Sequence, residues 1–171
     1  MTVETEFLTF SADKLAQLMG RIDTCVQKLT PKQIWMRADA NQNAVGNLLL
    51  HLNGNVRQWI LHGVGGEPDL RDRDAEFAAT DGAGANELLA RLGRTVEEAM
   101  ALLHALPVGR LMESVRTQGY DCTVLAAIYH VVEHFAGHTF QIIYATKLLT
   151  GEDLGFYAHL SDRKARQDPL P

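Results

Sequence analysis

Several familiar signals are missing from this chain, and each absence removes a class of protein. There are only two cysteines, Cys25 and Cys122. They lie far apart and form no Cys-x-x-Cys motif, so they imply no disulfide framework and read as buried free thiols. No window approaches 18 consecutive apolar residues, which argues against a membrane-spanning helix. The N-terminus, MTVETEFLTF, is acidic and lacks the basic start and apolar run of a secretory signal, so the cytoplasm is the expected compartment. Positive charge is also scarce: the formal net charge is −5 and the sequence pI about 5.8. A general nucleic-acid binder needs a basic surface to neutralise phosphates, so no nucleic-acid partner is expected. Internal repeats and low-complexity segments are absent as well.

What the sequence does contain is helical periodicity from end to end. Its 171 residues, 46% of them hydrophobic, suffice for one domain with one core. The spacing predicts a first helix from an N-cap near Ser11 through Leu15, Leu18, Met19, Ile22 and Val26, ending before Pro31. Trp35, in the following loop, is expected to tuck against the core. A second helix starts around Asn43, carries Leu48, Leu49, Leu52, Val56, Trp59 and Ile60, and stops where Gly63, Gly65, Gly66 and Pro68 arrive together. Residues 63–85 form a long connection rich in Gly and Asp, of the kind that is usually functional or a crossover. The third helix, about Asn86 to Leu106, ends at Pro107. Residues 108–122 read as irregular, with room for a turn or a small strand. The longest and most apolar helix runs from near Thr123 to about Thr150, with Gly151 as its stop. A short helix or turn over Leu154 to Leu160 closes the domain, 1–160, before a polar tail, 161–171. The predicted fold class is all-α: a four-helix bundle with a long connection between its second and third helices.

The placement of the seven histidines is the most informative feature. His130, His134 and His138 recur every four residues within HVVEHFAGH. Side chains at i and i+4 on an α-helix lie about 40° and about 6 Å apart, so two such imidazoles can grip one ion. Three cannot do so easily, because His130 and His138 are about 12 Å apart along the axis. The apolar stripe of this helix, carried by Val124, Val131, Phe135, Ile142, Ala145 and Leu149, decides which to exclude. His138 lies about 20° from its centre, His134 about 60° and His130 about 100°. The expected pair is therefore His134 and His138, with His130 leaning toward the boundary. His51, in the middle of the second helix between Leu48 and Leu52, is the natural third ligand, since bundle cores build metal sites from facing helices. Three neutral imidazoles leave a divalent ion its full charge and an open position, the arrangement of a catalytic rather than a structural site. His62, His104 and His159 read as surface or hydrogen-bonded residues. No general base is evident: residues 135–137, between the paired ligands, are Phe, Ala and Gly, and Glu133 points about 100° away from His134. Gln141, one turn beyond His138, is a candidate to orient a ligand ring, with a structural role as the alternative. In the long connection, Arg71, Arg73 and Glu76 can line an entrance or simply be solvated. A di-iron carboxylate site is disfavoured, since it needs Glu-x-x-His on two helices.

These residues resemble a known family. LLLHLNGNVRQWI together with HVVEHFAGHTFQIIY looks like the DinB-like superfamily of helical-bundle metalloenzymes, over essentially the whole chain, and is most similar to an uncharacterised branch of it. The resemblance implies a four-helix bundle, frequent dimers, and a three-histidine site found with zinc or nickel. Carried over, the ligands are His51, His134 and His138, followed by Gln141. It also implies a thiol-dependent transferase, using a low-molecular-weight thiol on a small-molecule substrate, with hydrolysis as the other chemistry. One position departs: the residue before Gln141 is commonly Gly in the family and here is Phe140, whose ring is expected to narrow the mouth of the site. A non-catalytic metal-binding stress-response module and a metal-free interaction protein stay open as alternatives.

Overall fold

The computed structural model describes residues 2–39 and 41–158. They are mostly helical: α1 (Val3–Val26), α2 (Pro31–Ile34), α3 (Val45–Val56) continued by a π-helical segment Arg57–Val64, α4 (Arg73–Ala78), α5 (Ala85–Ala105), a 3-10 turn Val108–Met112, the strands β1 (Ser114–Thr117) and β2 (Tyr120–Thr123), and α6 (Val124–Thr150).

The first helix starts at Val3, not near Ser11. Thr2 caps it by accepting from the Thr5 amide, and Glu4 and Glu6 sit in the first turn, where negative charge complements the helix dipole. Ser11 is buried inside the helix and gives its hydroxyl to the Phe7 carbonyl at 2.6 Å, the other habit of a serine with helical neighbours. The proline that ends α1 opens α2, where Thr30 and Gln33 form a reciprocal capping box. Trp35 packs against the core as expected, directly over Gly46, where an added Cβ would lie 2.7 Å from the indole.

Two elements inside expected loops support the region around the histidines. The connection after the second helix contains α4, capped by Asp72 on the Ala75 amide. Asn47 of α3 ties it down, donating its side-chain amide to the carbonyls of Glu76 at 3.0 Å and Ala79 at 2.7 Å. Residues 114–123 form an antiparallel hairpin whose turn residues, Gln118 and Gly119, both have positive φ, as a tight two-residue hairpin turn requires. The hairpin supports the π-helical segment: Thr117 donates its hydroxyl to the Gln58 carbonyl at 3.0 Å, and Trp59 donates its indole N–H to Gln118 at 2.9 Å. A π-helical stretch leaves carbonyls out of the regular i→i−4 ladder, and such stretches are frequent at functional sites.

α1 packs against α5 and α6, and α3 packs against the same two helices. Leu15, Ile22, Leu49, Leu52, Leu92, Leu103, Ile128, Phe135 and Ile142 are fully buried between them. α6 begins on the Thr123 cap and ends at Gly151, whose left-handed conformation (φ 71°) closes the last turn. Cys25 is buried and Cys122 half-buried, both free. No helix among the described residues is long and apolar enough to cross a membrane. Leu154 is buried and residues 156–158 form a turn; the rest of the expected Leu154–Leu160 element, His159 and the polar tail fall outside the described residues.

Candidate metal centre

Local sequence places each imidazole. α6 buries Val131, Phe135, Thr139 and Ile142 along one face, and the hydroxyls of Thr139 and Thr146 bond back to the carbonyls of Phe135 and Ile142, so neither hydroxyl is stranded. His134 and His138 lie on the flank of that face, half-buried. His51, on α3 between the buried Leu48 and Leu52, is itself buried at 5% exposure.

The structure brings these three side chains together. Nε2 of His134 lies 3.1 Å from Nε2 of His51 and 3.2 Å from Nε2 of His138. One nitrogen from each ring lies within 4.8 Å of the others. Nitrogens bound at about 2.0–2.1 Å around a tetrahedral ion are about 3.3 Å apart, so the separations fit a shared divalent cation.

The second nitrogen of each ring tells which way its lone pair faces. His51 Nδ1 lies 3.0 Å from Oε2 of Glu76 and 3.0 Å from Nη2 of Arg71. An ionised carboxylate only accepts and a guanidinium only donates, so Nδ1–H and Arg71 both donate to Glu76. Arg71 grips that carboxylate with Nε on Oε1 and Nη2 on Oε2, each at 2.8 Å. The His51 Nε2 lone pair is thereby left facing His134. On the other side, His138 Nδ1 lies 2.8 Å from the amide oxygen of Gln141, to which it donates, and its Nε2 lone pair also faces His134. Two lone pairs thus converge on a third Nε2. His134 Nδ1, in contrast, is buried without a hydrogen-bond partner. Carboxylate or carbonyl groups behind ligating imidazoles are the usual means of fixing tautomer and ring orientation at metal sites.

Electrostatics agree with neutral rings at His134 and His138. Burial, reinforced by the neighbouring His138, His51, His130 and Arg71, lowers His134 to a pKa of about 3. Burial also lowers His138, against the opposing bond to Gln141. For Glu76, burial pushes upward, but bonds from Arg71 and His51 outweigh it and hold the carboxyl below its ordinary value. Neutral imidazoles beside an ionised carboxylate are what a divalent cation needs, because binding must otherwise displace protons.

The site opens on one side, through a cavity of about 350 Å³ lined by His130, Glu133, His134, Gly137, His138 and Gln141. His130 is outside the trio, its ring 4.2 Å from that of Trp59 and 5.5 Å from that of His134. Glu133 is exposed at the mouth. Phe140 does not narrow this opening: its half-exposed ring lines a different cavity with Ile143, Lys147 and Phe156. Of the charged residues of the connection, Arg73 is solvated, but neither solvation nor the entrance describes Arg71 and Glu76. Arg71 and Glu76 are buried behind His51, while Arg73 lies over the Phe77 ring, which packs on His51 at 4.7 Å between centroids. His62 turns away and its Nδ1 meets the Glu67 carbonyl at 2.6 Å; His104 is exposed. Sequence reasoning missed Glu76 as the partner of His51. The signal available was Gly54 in the middle of a helix, where an added Cβ would lie 1.8 Å from Glu76 Oε1.

A family model described as Protein of unknown function (DUF1572) matches residues 2–161. No curated protein matches the chain.

Proposed function

We propose that this chain, which belongs to the family described as Protein of unknown function (DUF1572), is a divalent-metal-dependent enzyme of the DinB-like kind, with His51, His134 and His138 as ligands. The packing of α1 and α3 each against α5 and α6 supports the corresponding four-helix-bundle reading. The observation that carries the proposal is the convergence of Nε2 lone pairs from His51 and His138, each turned inward by a partner on Nδ1, upon Nε2 of His134. Without a cation, only a proton on His134 Nε2, shared between the two, can meet those lone pairs, and His134 Nδ1 then stays a buried acceptor without a donor.

A divalent ion held there, zinc or nickel in the DinB-like pattern, lowers the pKa of a coordinated water or thiol and supplies a nucleophile near neutral pH. The protein's own residues do the rest. Glu76 and Gln141 hold two rings in register, and Arg71 keeps Glu76 ionised. The opening beside His130, Glu133 and Gln141 gives a small electrophile access to the three rings, which favours a catalytic over a purely structural ion. A low-molecular-weight thiol as the second component follows from the resemblance, with hydrolysis as the competing chemistry.

Metal analysis of protein purified without a polyhistidine tag tests the reading. Wild type is expected to carry about one equivalent of divalent metal and His51→Ala little, since two ligands remain. Equal metal content in both would refute the triad. A metal-loaded protein that turns over neither thiol-dependent nor ester substrates would leave a metal-stapled, non-catalytic module.

A further inference from the structure

Of the three rings, only His134 has no visible means of orientation. Two buried side-chain atoms among the described residues lack a hydrogen-bond partner: His134 Nδ1 and Asn55 Oδ1. Asn55 is 2% exposed. An amide oxygen buried at that level without a partner costs free energy, and the other buried polar side chains of α3, Asn47, His51 and Asn53, are all bonded, so the exception needs a reason.

Geometry supplies one. His51, Asn55 and Trp59 follow one another at i, i+4 and i+8, along one side of α3 and its continuation. The residues on either side of Asn55 both touch α6: the His51 ring lies 4.9 Å from that of His134, and the Trp59 ring 4.2 Å from that of His130. Higher numbers on α3 thus meet lower numbers on α6, and Asn55 falls level with the turn between His134 and His130. Helical side chains lean toward the N-terminus of their helix, which carries the His134 ring toward that same turn. The two orphaned atoms are therefore on facing helices at one level.

We propose that Asn55 is the positioning residue of His134: its side-chain oxygen accepts the Nδ1 proton of His134 through one bridging water, and so aims the Nε2 lone pair at the shared point. The inference rests on the metal reading above. It gives each ligand its own acceptor, Glu76 for His51, Gln141 for His138 and Asn55 for His134, and makes all three Nε2 atoms lone-pair donors to the ion. It also accounts for two unsatisfied buried groups at once.

The test uses the full chain, with zinc as the probe. Asn55→Leu keeps the size but removes the acceptor; Asn55→Asp keeps an oxygen there. Zinc affinity of Asn55→Leu is expected to fall about 10- to 100-fold, the usual consequence of losing such a partner, and Asn55→Asp to recover most of it. Long-range proton–nitrogen spectra of zinc-loaded wild type should show His134 protonated at Nδ1, with that proton slow to exchange, and the Nδ1 signal should move in Asn55→Leu. Zinc binding by Asn55→Leu equal to wild type, with an unmoved His134 signal, would overturn the assignment while leaving the metal site intact. An unprotonated Nδ1 in zinc-loaded wild type would overturn it as well, and that measurement stands even where Asn55→Leu does not fold. Failure of wild type to bind zinc or nickel would remove the metal reading and this inference together.

Discussion

Gly54 offers the sharpest test of how the site is built. It lies within α3, three residues beyond His51, where glycine costs about 0.8–1 kcal/mol relative to alanine. Replacing it by alanine at an ordinary helical position would therefore stabilise the protein. Here the new Cβ would lie 1.8 Å from Glu76 Oε1, 2.8 Å from Arg71 Nε and 2.9 Å from Glu76 Cδ. The carboxylate cannot simply swing aside, because the backbone of α4 is tied to Asn47 and both its oxygens are held by Arg71. It must give up at least one bond to a charged partner, each worth about 1.5–3 kcal/mol, and strain the remainder. Set against the helical gain, the net effect of Gly54→Ala is a loss of about 0.5–2 kcal/mol. That corresponds to a fall in Tm of about 1–8 °C for a chain of this size. Zinc affinity should drop about 10- to 100-fold, since His51 loses the acceptor that fixes its ring.

Thermal melts of metal-free protein and zinc titration measure the two effects separately. Gly20→Ala is the control: it is also inside a helix, nothing lies within 4 Å of the added Cβ, and Tm should rise by about 1–4 °C with zinc affinity unchanged. A Glu76→Ala background adds a second control, because there the carboxylate is gone and Arg71, no longer held by it, is the only side chain left to move, so Gly54→Ala should cost much less than in wild type, a non-additivity expected of touching residues. If Gly54→Ala alone behaved like Gly20→Ala, the placement of Glu76 against α3 would be wrong, and with it the account of how His51 is oriented.

Two further outcomes follow from the electrostatics. His134 has a folded-state pKa of about 3 against an unfolded value near 6.5, so the unfolded chain takes up this proton first; metal-free protein should be most stable above about pH 6.5 and lose stability as pH falls toward 3. A denaturant midpoint that stays flat across that window in wild type would contradict the burial of this ring. Metal loading should act in the opposite sense: at about 100 times its Kd, zinc adds about 2.7 kcal/mol, a rise in Tm of about 5–11 °C that a chelator should reverse. An unchanged Tm under saturating zinc and nickel would count against a site preformed in the folded state.

What could be read from the sequence divides along a physical line. Helical periodicity is a property of consecutive residues, so α3, α5 and α6 lie where their apolar stripes predict, and the angle of each histidine from the stripe of α6 excludes His130 without coordinates. The start of α1 is legible too, because Thr2 with Glu4 and Glu6 forms a capping and dipole signal as good as Ser11, although the periodicity alone favours the later start. The hairpin is harder, since β1 and β2 are four residues each and owe their stability to the contacts of Thr117 and Gln118 with the π-helical segment. Glu76 is legible only indirectly, since Gly54 inside a helix signals a close approach without saying which residue makes it. Its role depends on α4 docking across α3, and no local pattern distinguishes a carboxylate that returns to the core from one that is solvated. The same holds for Phe140, whose ring direction is set by its neighbours rather than by the residue type.

That docking has a thermodynamic consequence. α4 contributes the acceptor for His51 and is held to α3 through that bond and through Asn47, while Arg71, paired with Glu76, donates to Gln58 of the π-helical segment. Any ion that binds more tightly when His51 is oriented by Glu76 must, to the same extent, favour the docked connection over an undocked one, because the coupling between two binding events is reciprocal. The long connection is therefore part of the site. Its bonds to α3 and the affinity for metal are two measures of one free energy, and a substitution that loosens α4 without touching an imidazole should weaken the ion in proportion.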